Sequence, residues 1–167
     1  GITQLIIDKK GNVEVVQPKI AQETLEELED SLLLFFTGIK RSSKKVLAVQ
    51  NKATNRGDKK VLESLHFIKE IGEDITKCLK RGDIHKFGKL LNTHWEYKQR
   101  LSGKVSNEQI GRWYQRGIDA GALGGKLIGA GGGGFLLFCV PGDKNNLRKA
   151  MKEEGLTEVF FHFDFEG

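Results

Sequence analysis

The sequence predicts a domain of the α+β class. Strand-like and helix-like segments follow one another without the regular alternation that a parallel sheet requires. The length of 167 residues fits one domain, or one domain with a small appendage, that buries a core without a disulfide or metal staple. Cys78 and Cys139 are too few for a disulfide scaffold, so we expect a reducing, cytoplasmic compartment. No apolar run approaches the length of a membrane span.

The first third of the chain predicts a hairpin, a short helix and a buried strand. Residues 3–7 and 13–16 are two strand-like runs rich in Leu, Ile and Val that flank a turn signal at residues 8–12. Leucines at helical spacing predict a helix over residues 21–31. The apolar run 32–37 then predicts a buried strand, followed by a polar, glycine-containing link.

The remaining elements follow from capping residues and periodicity. Ser42 or Ser43 is a candidate N-cap for a helix over residues 44–52, and Asp58 and Asp83 are candidate N-caps for the next two helices. Ser106 forms a capping-box pair with Gln109 at the start of another helix. Further on, the pattern predicts a strand, a helix and a strand, over residues 134–140, 144–154 and 158–163.

The net charge of +5 is concentrated in one segment. Residues 40–60 carry +7, and the rest of the chain carries −2. Such a segment attracts anions such as phosphates, sugar phosphates or nucleic acid, although a solvated lysine-rich surface explains it equally well. Aromatic residues are absent from it, so a stacking platform for nucleic acid is not predicted.

Nine of the 21 glycines fall between Gly117 and Gly134. Each costs about 0.5–1 kcal/mol of backbone entropy, so the run requires a physical reason. Its amides could face an anion, or the glycines could let another backbone pass closely. The pattern is neither a Walker-type phosphate loop nor a dinucleotide-binding fingerprint.

Four segments carry a resemblance to a known family. They are the run from Lys126 to Phe138 (K-L-I-G-A-G-G-G-G-F-L-L-F), the run from Leu33 to Ser43, Asn92-Thr-His-Trp-Glu-Tyr-Lys98, and Gly121-Ala-Leu-Gly-Gly-Lys126. The first resembles the third motif of the GHMP kinases. The other three resemble the D-glycero-D-manno-heptose 7-phosphate kinase branch of that superfamily, and they occur along the chain in the order that branch uses.

The resemblance implies the C-terminal half of a kinase about twice this long. That half is a ferredoxin-like plait with additional helices in the family, and it is expected to occupy residues 19–167. Residues 1–18 would belong to the sheet of the N-terminal half. The family's Pro-x-x-x-Gly-Leu-Gly-Ser-Ser loop and its catalytic aspartate lie in that other half. We therefore expect no catalytic residue here, no activity of this chain alone, and ATP and Mg²⁺ bound mainly by the N-terminal half.

The resemblance also implies roles for two groups of residues. One group would pack against the nucleotide-phosphate loop: Lys126, Gly129, Ala130, Gly131, Gly132, Gly133 and Gly134. The other group would bind the sugar phosphate: Thr37, Gly38, Lys40, Arg41, Ser42, Ser43, Lys98 and Arg100. Arg41 suits bidentate phosphate binding, although Ser42 or Ser43 could simply cap a helix beside solvated cations. His94 and Trp95 lie on an apolar helix face and are expected in the core, and the other histidines show no metal-ligand spacing.

The implied activity is transfer of the γ-phosphoryl group of ATP to the anomeric hydroxyl of heptose 7-phosphate. The implied partners are the N-terminal half and the sugar phosphate, with no membrane and no nucleic acid. Two alternatives stay open at this stage. One is a basic α+β domain that binds nucleic acid, and the other is a sugar-phosphate-binding domain without catalysis.

Overall fold

The computed structural model describes residues 1–39, 48, 51–52, 54–101, 107–129 and 132–165, and it confirms the α+β class. Within these residues the helices are α1 (Gln22–Ser31), α2 (Lys59–Lys80), α3 (Ile84–Arg100), α4 (Glu108–Asp119) and α5 (Asn145–Glu153). The strands are β1 (Gln4–Ile7), β2 (Val13–Val16), β3 (Leu32–Phe36), β4 (Gly124–Leu127), β5 (Phe135–Cys139) and β6 (Thr157–Val159). The helix predicted over 44–52 lies mostly outside the described residues.

Four of the strands form one antiparallel sheet in the order β4-β5-β3-β6. β3 and β5 are the central strands, and their register places Leu32 opposite Cys139 and Phe36 opposite Phe135. Helices α2 to α4 connect β3 to β4, and α5 connects β5 to β6. This is the strand order of a ferredoxin-like plait, with additional helices in its first crossover, as expected.

One face of the sheet carries the main core. Side chains alternate between the two faces of a strand, so Leu33 and Phe35 of β3 share a face with Leu136 and Phe138 of β5. Helices α4 and α5 cover this face with fully or nearly fully buried side chains. These include Ile110, Trp113, Leu147 and Met151.

A second, smaller core lies on the other face of the sheet. Leu28 of α1, Leu79 of α2 and Phe87 of α3 pack around Cys139 there. Both cysteines are buried and free, as predicted. Helix α3 contributes to both cores, since Trp95 is 0% exposed in the first and Leu91 is buried in the second. This double anchorage fixes α3 beside the edge strand β4.

Two of the predicted N-caps, Asp58 and Asp83, are confirmed by the structure. Asp58 accepts hydrogen bonds from the backbone of Lys60 and Val61, and Asp83 accepts one from Lys86. The predicted capping box at Ser106 is wrong. Asn107 is the N-cap of α4, because its side chain accepts from the Ile110 amide. Asparagine caps a helix at least as well as serine, so one residue of shift costs nothing.

The last strand is shorter than predicted. β6 pairs with β3 only from Leu34 to Phe36, and the chain then leaves the sheet. The Phe163 amide instead donates to the carboxylate of Glu29 on α1, which also contacts the His162 ring at 2.9 Å. The chain after β6 is therefore bonded to α1 through Glu29 and does not continue along β3.

The hairpin at residues 4–16 forms a sheet of its own. β1 and β2 pair antiparallel, with Leu5 opposite Val15 and Ile7 opposite Val13. All four of these side chains are more than half exposed. The hairpin therefore adds a largely uncovered apolar face to the molecule. None of the helices among the described residues combines the length and apolarity needed to cross a bilayer.

Candidate functional site

The glycine segment, residues 128–134, connects β4 to β5. At its first residue, the Ile128 amide donates to the Phe135 carbonyl at 2.8 Å and closes the ladder between β4 and β5. Gly129 and Gly134 have positive φ angles of 85° and 99°, which side chains rarely adopt. Glycine at these two positions lets the backbone leave β4 and re-enter the sheet at β5.

The end of β3 is bonded to the end of the glycine segment. Both the amide and the hydroxyl of Thr37 donate to the Gly134 carbonyl at 2.9 Å. The Gly134 amide donates in turn to the carbonyl of Ile39 at 3.0 Å. Thr37 is buried, and its hydroxyl also accepts from the Ile39 amide at 3.3 Å. Two segments nearly a hundred residues apart thus form one backbone junction.

Gly133 allows this junction to close. A Cβ atom there would lie 2.5 Å from the carbonyl oxygen of Ile39 and 2.8 Å from its side chain. Backbone atoms cannot move aside as the tip of a long side chain can. The close-packing interpretation of the glycine run therefore holds at Gly133.

The opposite end of the glycine segment is held by a lysine. The Lys98 ammonium, near the end of α3, lies 2.5 Å from the Gly129 carbonyl oxygen and 3.4 Å from that of Leu127. Burial, followed by repulsion from Lys126, lowers the pKa of Lys98 to about 8. Lys98 is thus close to half-protonated at mildly alkaline pH.

Two more basic groups lie beside Lys98. Burial, and then the charges of Lys126 and Lys98, lower the pKa of His94 to about 4, so its ring is neutral at pH 7. Burial also lowers the pKa of Lys126 on β4. Among the described residues, His94 Nδ1 is a buried nitrogen without a hydrogen-bond partner.

Arg100 lies at the end of α3 in an aromatic stack. Its guanidinium carbon is 4.4 Å from the centroid of the Tyr97 ring. That ring stacks on Phe67 of α2, with centroids 4.1 Å apart and an interplanar angle of 12°. The side chain of Arg100 is therefore supported by a ring face while its position in the chain is exposed.

Comparison with known proteins adds to this geometry. Residues 75–156 match the family model for the C terminal of GHMP kinases. The chain carries a GHMP kinase C-terminal domain. It is 37% identical to the D-glycero-alpha-D-manno-heptose 7-phosphate kinase of Campylobacter jejuni, over 92% of this chain and 45% of that protein.

Solved structures agree with this GHMP kinase domain. A crystal structure described as a sugar kinase from Campylobacter jejuni superimposes with a TM-score of 0.71 and 33% identity, over 100% of this chain and 46% of that one. The mevalonate kinase of L. major, in complex with R-mevalonate, gives a TM-score of 0.77 at 20% identity, over 93% and 47%. The latter likeness supports the fold alone. The chain spans about half the length of the relatives it matches.

The GHMP kinase domain brings together some of the predicted site residues. Thr37 meets Gly134, and Lys98 meets Gly129, so both predicted groups meet at the glycine segment. Gly38 is exposed beside Thr37, and Arg100 lies on its aromatic stack. Lys40, Arg41, Ser42, Ser43, Ala130 and Gly131 lie outside the described residues, so their roles stay predictions.

His94 is the residue whose surroundings sequence reasoning missed. Trp95 is buried in the core as expected, but His94 faces two lysines as well as the interior. The spacing of four between His94 and Lys98, which places them on the same side of α3, was the available signal. Asn92, two residues before His94, accepts from the Tyr114 hydroxyl at 2.6 Å and donates to Glu96 at 2.8 Å.

The donor set of this site does not suit a metal ion. Over the described part of the chain, no three His, Cys, Asp or Glu side chains come together in a way that could hold one. The groups beside the glycine segment are cationic or neutral. They suit an anion, and not Mg²⁺.

Proposed function

We propose that this domain is the acceptor-side half of a sugar-phosphate kinase, most specifically one that converts heptose 7-phosphate to heptose 1,7-bisphosphate. The 37% identity to a heptose 7-phosphate kinase over 92% of the chain supports the substrate class. The observation that carries the proposal is the junction of Thr37 with Gly134. It joins the end of β3, three residues before the basic segment of residues 40–60 begins, to the glycine segment of the family's motif.

Each part of the domain would have a task that its chemistry allows. The glycine segment would line the cleft against the phosphate loop of the N-terminal half, since its backbone permits close approach. The segment after Gly38, with Lys40, Arg41, Ser42 and Ser43, would bind the 7-phosphate of the sugar. Arg41 would bind two phosphate oxygens through its planar fork. Catalysis would then consist mainly of positioning the acceptor hydroxyl.

ATP would supply the transferred phosphoryl group, and Mg²⁺ would accompany it. The described residues of this domain lack a fitting set of metal ligands, so we propose that the N-terminal half holds both. The catalytic aspartate of the family would also lie in that half. We therefore propose that this chain alone is inactive. Its free, buried thiols suit the reducing cytoplasm, where we propose that the enzyme acts.

We further propose that residues 1–18 complete a sheet of the N-terminal half and that residues 19–167 form the C-terminal domain. The exposed apolar face of the hairpin supports this division, because an isolated two-stranded sheet is marginally stable in water.

The test is a phosphoryl-transfer assay of the complete protein with ATP and heptose 7-phosphate. A new anomeric phosphate resonance in the ³¹P NMR spectrum is the expected result. Heptose without the 7-phosphate should react at least about tenfold less efficiently, because a charge-assisted contact is lost. Equal turnover of L-fucose and heptose 7-phosphate would contradict the proposed substrate. Activity of the 167-residue chain alone would contradict the proposal that the N-terminal half supplies the catalytic aspartate, ATP and Mg²⁺.

A matched pair of variants tests the phosphate-binding segment. Arg41→Met should raise KM for heptose 7-phosphate by about tenfold or more. Lys52→Met, which removes an exposed cation from the same basic segment, should change KM by less than about twofold. Equal effects of the two substitutions would mean that the segment attracts the substrate only through its overall charge.

A further inference from the structure

The Lys98 side chain is hydrogen-bonded to the backbone at the start of the glycine segment. An ammonium group has three donors, and two of them are aimed at the carbonyl oxygens of Gly129 and Leu127. These two carbonyls lie at the end of β4, where the chain turns away from the sheet. Binding of the sugar phosphate, which the resemblance implies for Lys98, would have only the third donor available.

Gly129 has little else to hold it. It is exposed, and a Cβ atom built on it would meet nothing within 4 Å. Its φ angle of 85° is therefore not imposed by packing against a neighbour. The last hydrogen bond of the ladder between β4 and β5 is made by Ile128, one residue before Gly129. The bond from Lys98 is thus the contact that fixes the first turn of the segment among the described residues.

The base of Lys98 is rigid. Trp95, one turn earlier on α3, is 0% exposed in the main core. Nearer the start of α3, the helix backbone lies against β4: a Cβ atom on Gly124 would be only 2.1 Å from the Gly88 carbonyl oxygen. Because the helix is fixed, a side chain that extends from it can fix the position of the backbone carbonyls to which it is hydrogen-bonded.

We propose that Lys98 is a positioning residue, which fixes the carbonyls of Gly129 and Leu127 and thereby sets the path of the glycine segment into the site, instead of binding the sugar phosphate itself. This inference rests on the proposed function only in that the glycine segment lines a kinase cleft. The titratable groups that face Lys98 are Lys126 on β4 and His94 on its own helix. The backbone of Lys126 belongs to the ladder with Leu137. Its ammonium forms no hydrogen bond or ion pair with the described residues, so its donors are not committed to the glycine segment as those of Lys98 are.

The first experiment needs no enzymatic activity. In the 167-residue chain, the ¹³C shifts of the Gly129 and Leu127 carbonyls are followed with pH by NMR, together with the Lys98 side chain. All three should titrate together, with a midpoint near the lowered pKa of Lys98, about 8. The Ala150 carbonyl in α5, which accepts from the Glu154 amide, serves as an internal control and should show no step. A Lys98 midpoint without a matching step at Gly129 would overturn the proposal.

Variants of Lys98 and its neighbours test whether the charge of Lys98 causes the step at Gly129. Lys98→Met should abolish the step at Gly129, whereas Lys98→Arg should keep the low-pH carbonyl shift up to pH 10, because guanidinium stays charged. Lys89→Met, at an exposed position on the same helix, is the matched control and should behave as the unaltered chain. Lys126→Met should raise the midpoint, since it removes the repulsion. If Lys98→Met fails to fold, the unaltered chain and Lys98→Arg still decide the question.

The second experiment uses the complete kinase and distinguishes positioning from substrate binding. Lys98→Met should lower kcat by about tenfold or more and leave KM for the sugar phosphate within about twofold. A direct phosphate ligand would show the reverse, a KM raised tenfold or more. An inactive parent enzyme would contradict the proposed function, and the carbonyl titration would still test the role of Lys98.

Discussion

His94 is a histidine that the fold keeps neutral. It lies between the interior and two lysines, and burial is the largest cause of its lowered pKa. In the unfolded chain its pKa returns to about 6.5. Between pH 6.5 and pH 4 the unfolded chain therefore binds a proton that the folded chain does not. The contribution of His94 to the free energy of unfolding therefore falls as the pH is lowered through this window, and it loses nothing further below about pH 4.

The expected loss from this one group is about 2 kcal/mol between pH 7 and pH 4, since its partial exposure reduces the full shift. Urea unfolding of the unaltered chain and of His94→Gln at both pH values measures it. On acidification from pH 7 to pH 4, the free energy of unfolding of His94→Gln should fall by about 2 kcal/mol less than that of the unaltered chain. His66→Gln, on an exposed part of α2, is the control and should follow the unaltered chain. Parallel pH curves for all three proteins would show that His94 is not the group responsible.

At the scale of elements, the contact between α3 and β4 rests on glycines at both sides. A Cβ on Gly124 would lie 2.1 Å from the Gly88 carbonyl oxygen and 2.7 Å from the Asn92 amide. A Cβ on Gly88 would lie 2.8 Å from the Cβ of Leu123. The backbones of helix and strand therefore approach as closely as they can. Because α3 carries both His94 and Lys98, this contact also sets the distance of these two side chains from β4.

Gly124→Ala should cost about 3 kcal/mol of unfolding free energy, because the obstructing atoms belong to the backbone. Gly72→Ala is the matched control, in an exposed part of α2 where an added Cβ meets nothing within 4 Å. It should stabilise the chain by about 0.5–1 kcal/mol through helix propensity. Urea unfolding measures both. Equal effects of the two substitutions would contradict close packing at Gly124.

The elements show what the sequence can and cannot specify. Asp58 and Asp83 were predictable as N-caps because a cap acts on amides two or three residues away. The end of β6 was not, since the Phe163 amide bonds to Glu29, 134 residues away. The contact of Lys98 with Gly129 spans 31 residues and depends on the placement of α3 along β4. Local rules thus predicted starts of elements, and only tertiary structure could supply the site's contacts.

At the scale of the whole molecule, the hairpin is the part that the rest of the chain covers least. Leu5, Ile7, Val13 and Val15 share one face, and each is at least 55% exposed. Exposed apolar faces of this kind are typical of interaction surfaces. The proposed occupant is the N-terminal half of the kinase.

Amide hydrogen exchange tests that proposal. The amides of residues 5–7 should exchange rapidly in the 167-residue chain and at least about a hundredfold more slowly in the complete protein. The Phe138 amide, in the main sheet, is the reference and should be protected in both. Leu5→Lys should cost less than about 0.5 kcal/mol in the chain alone and more than about 2 kcal/mol in the complete protein. Strong protection of residues 5–7 in the chain alone would contradict the division at residue 18.

The bond between Thr37 and Gly134 also bears on the order in which the chain folds. The helical pair α2 and α3 joins neighbours in sequence, whereas β3 must wait for β5, about a hundred residues later. Closing so long a loop carries an entropic cost that contacts within the helices avoid. During synthesis, β3 leaves the ribosome well before its central partner exists. We therefore expect a helical intermediate with an unpaired β3, in which the glycine segment acquires its shape only in the last step. Ribosome-bound chains that end before Phe135 should consequently expose β3 to chaperones.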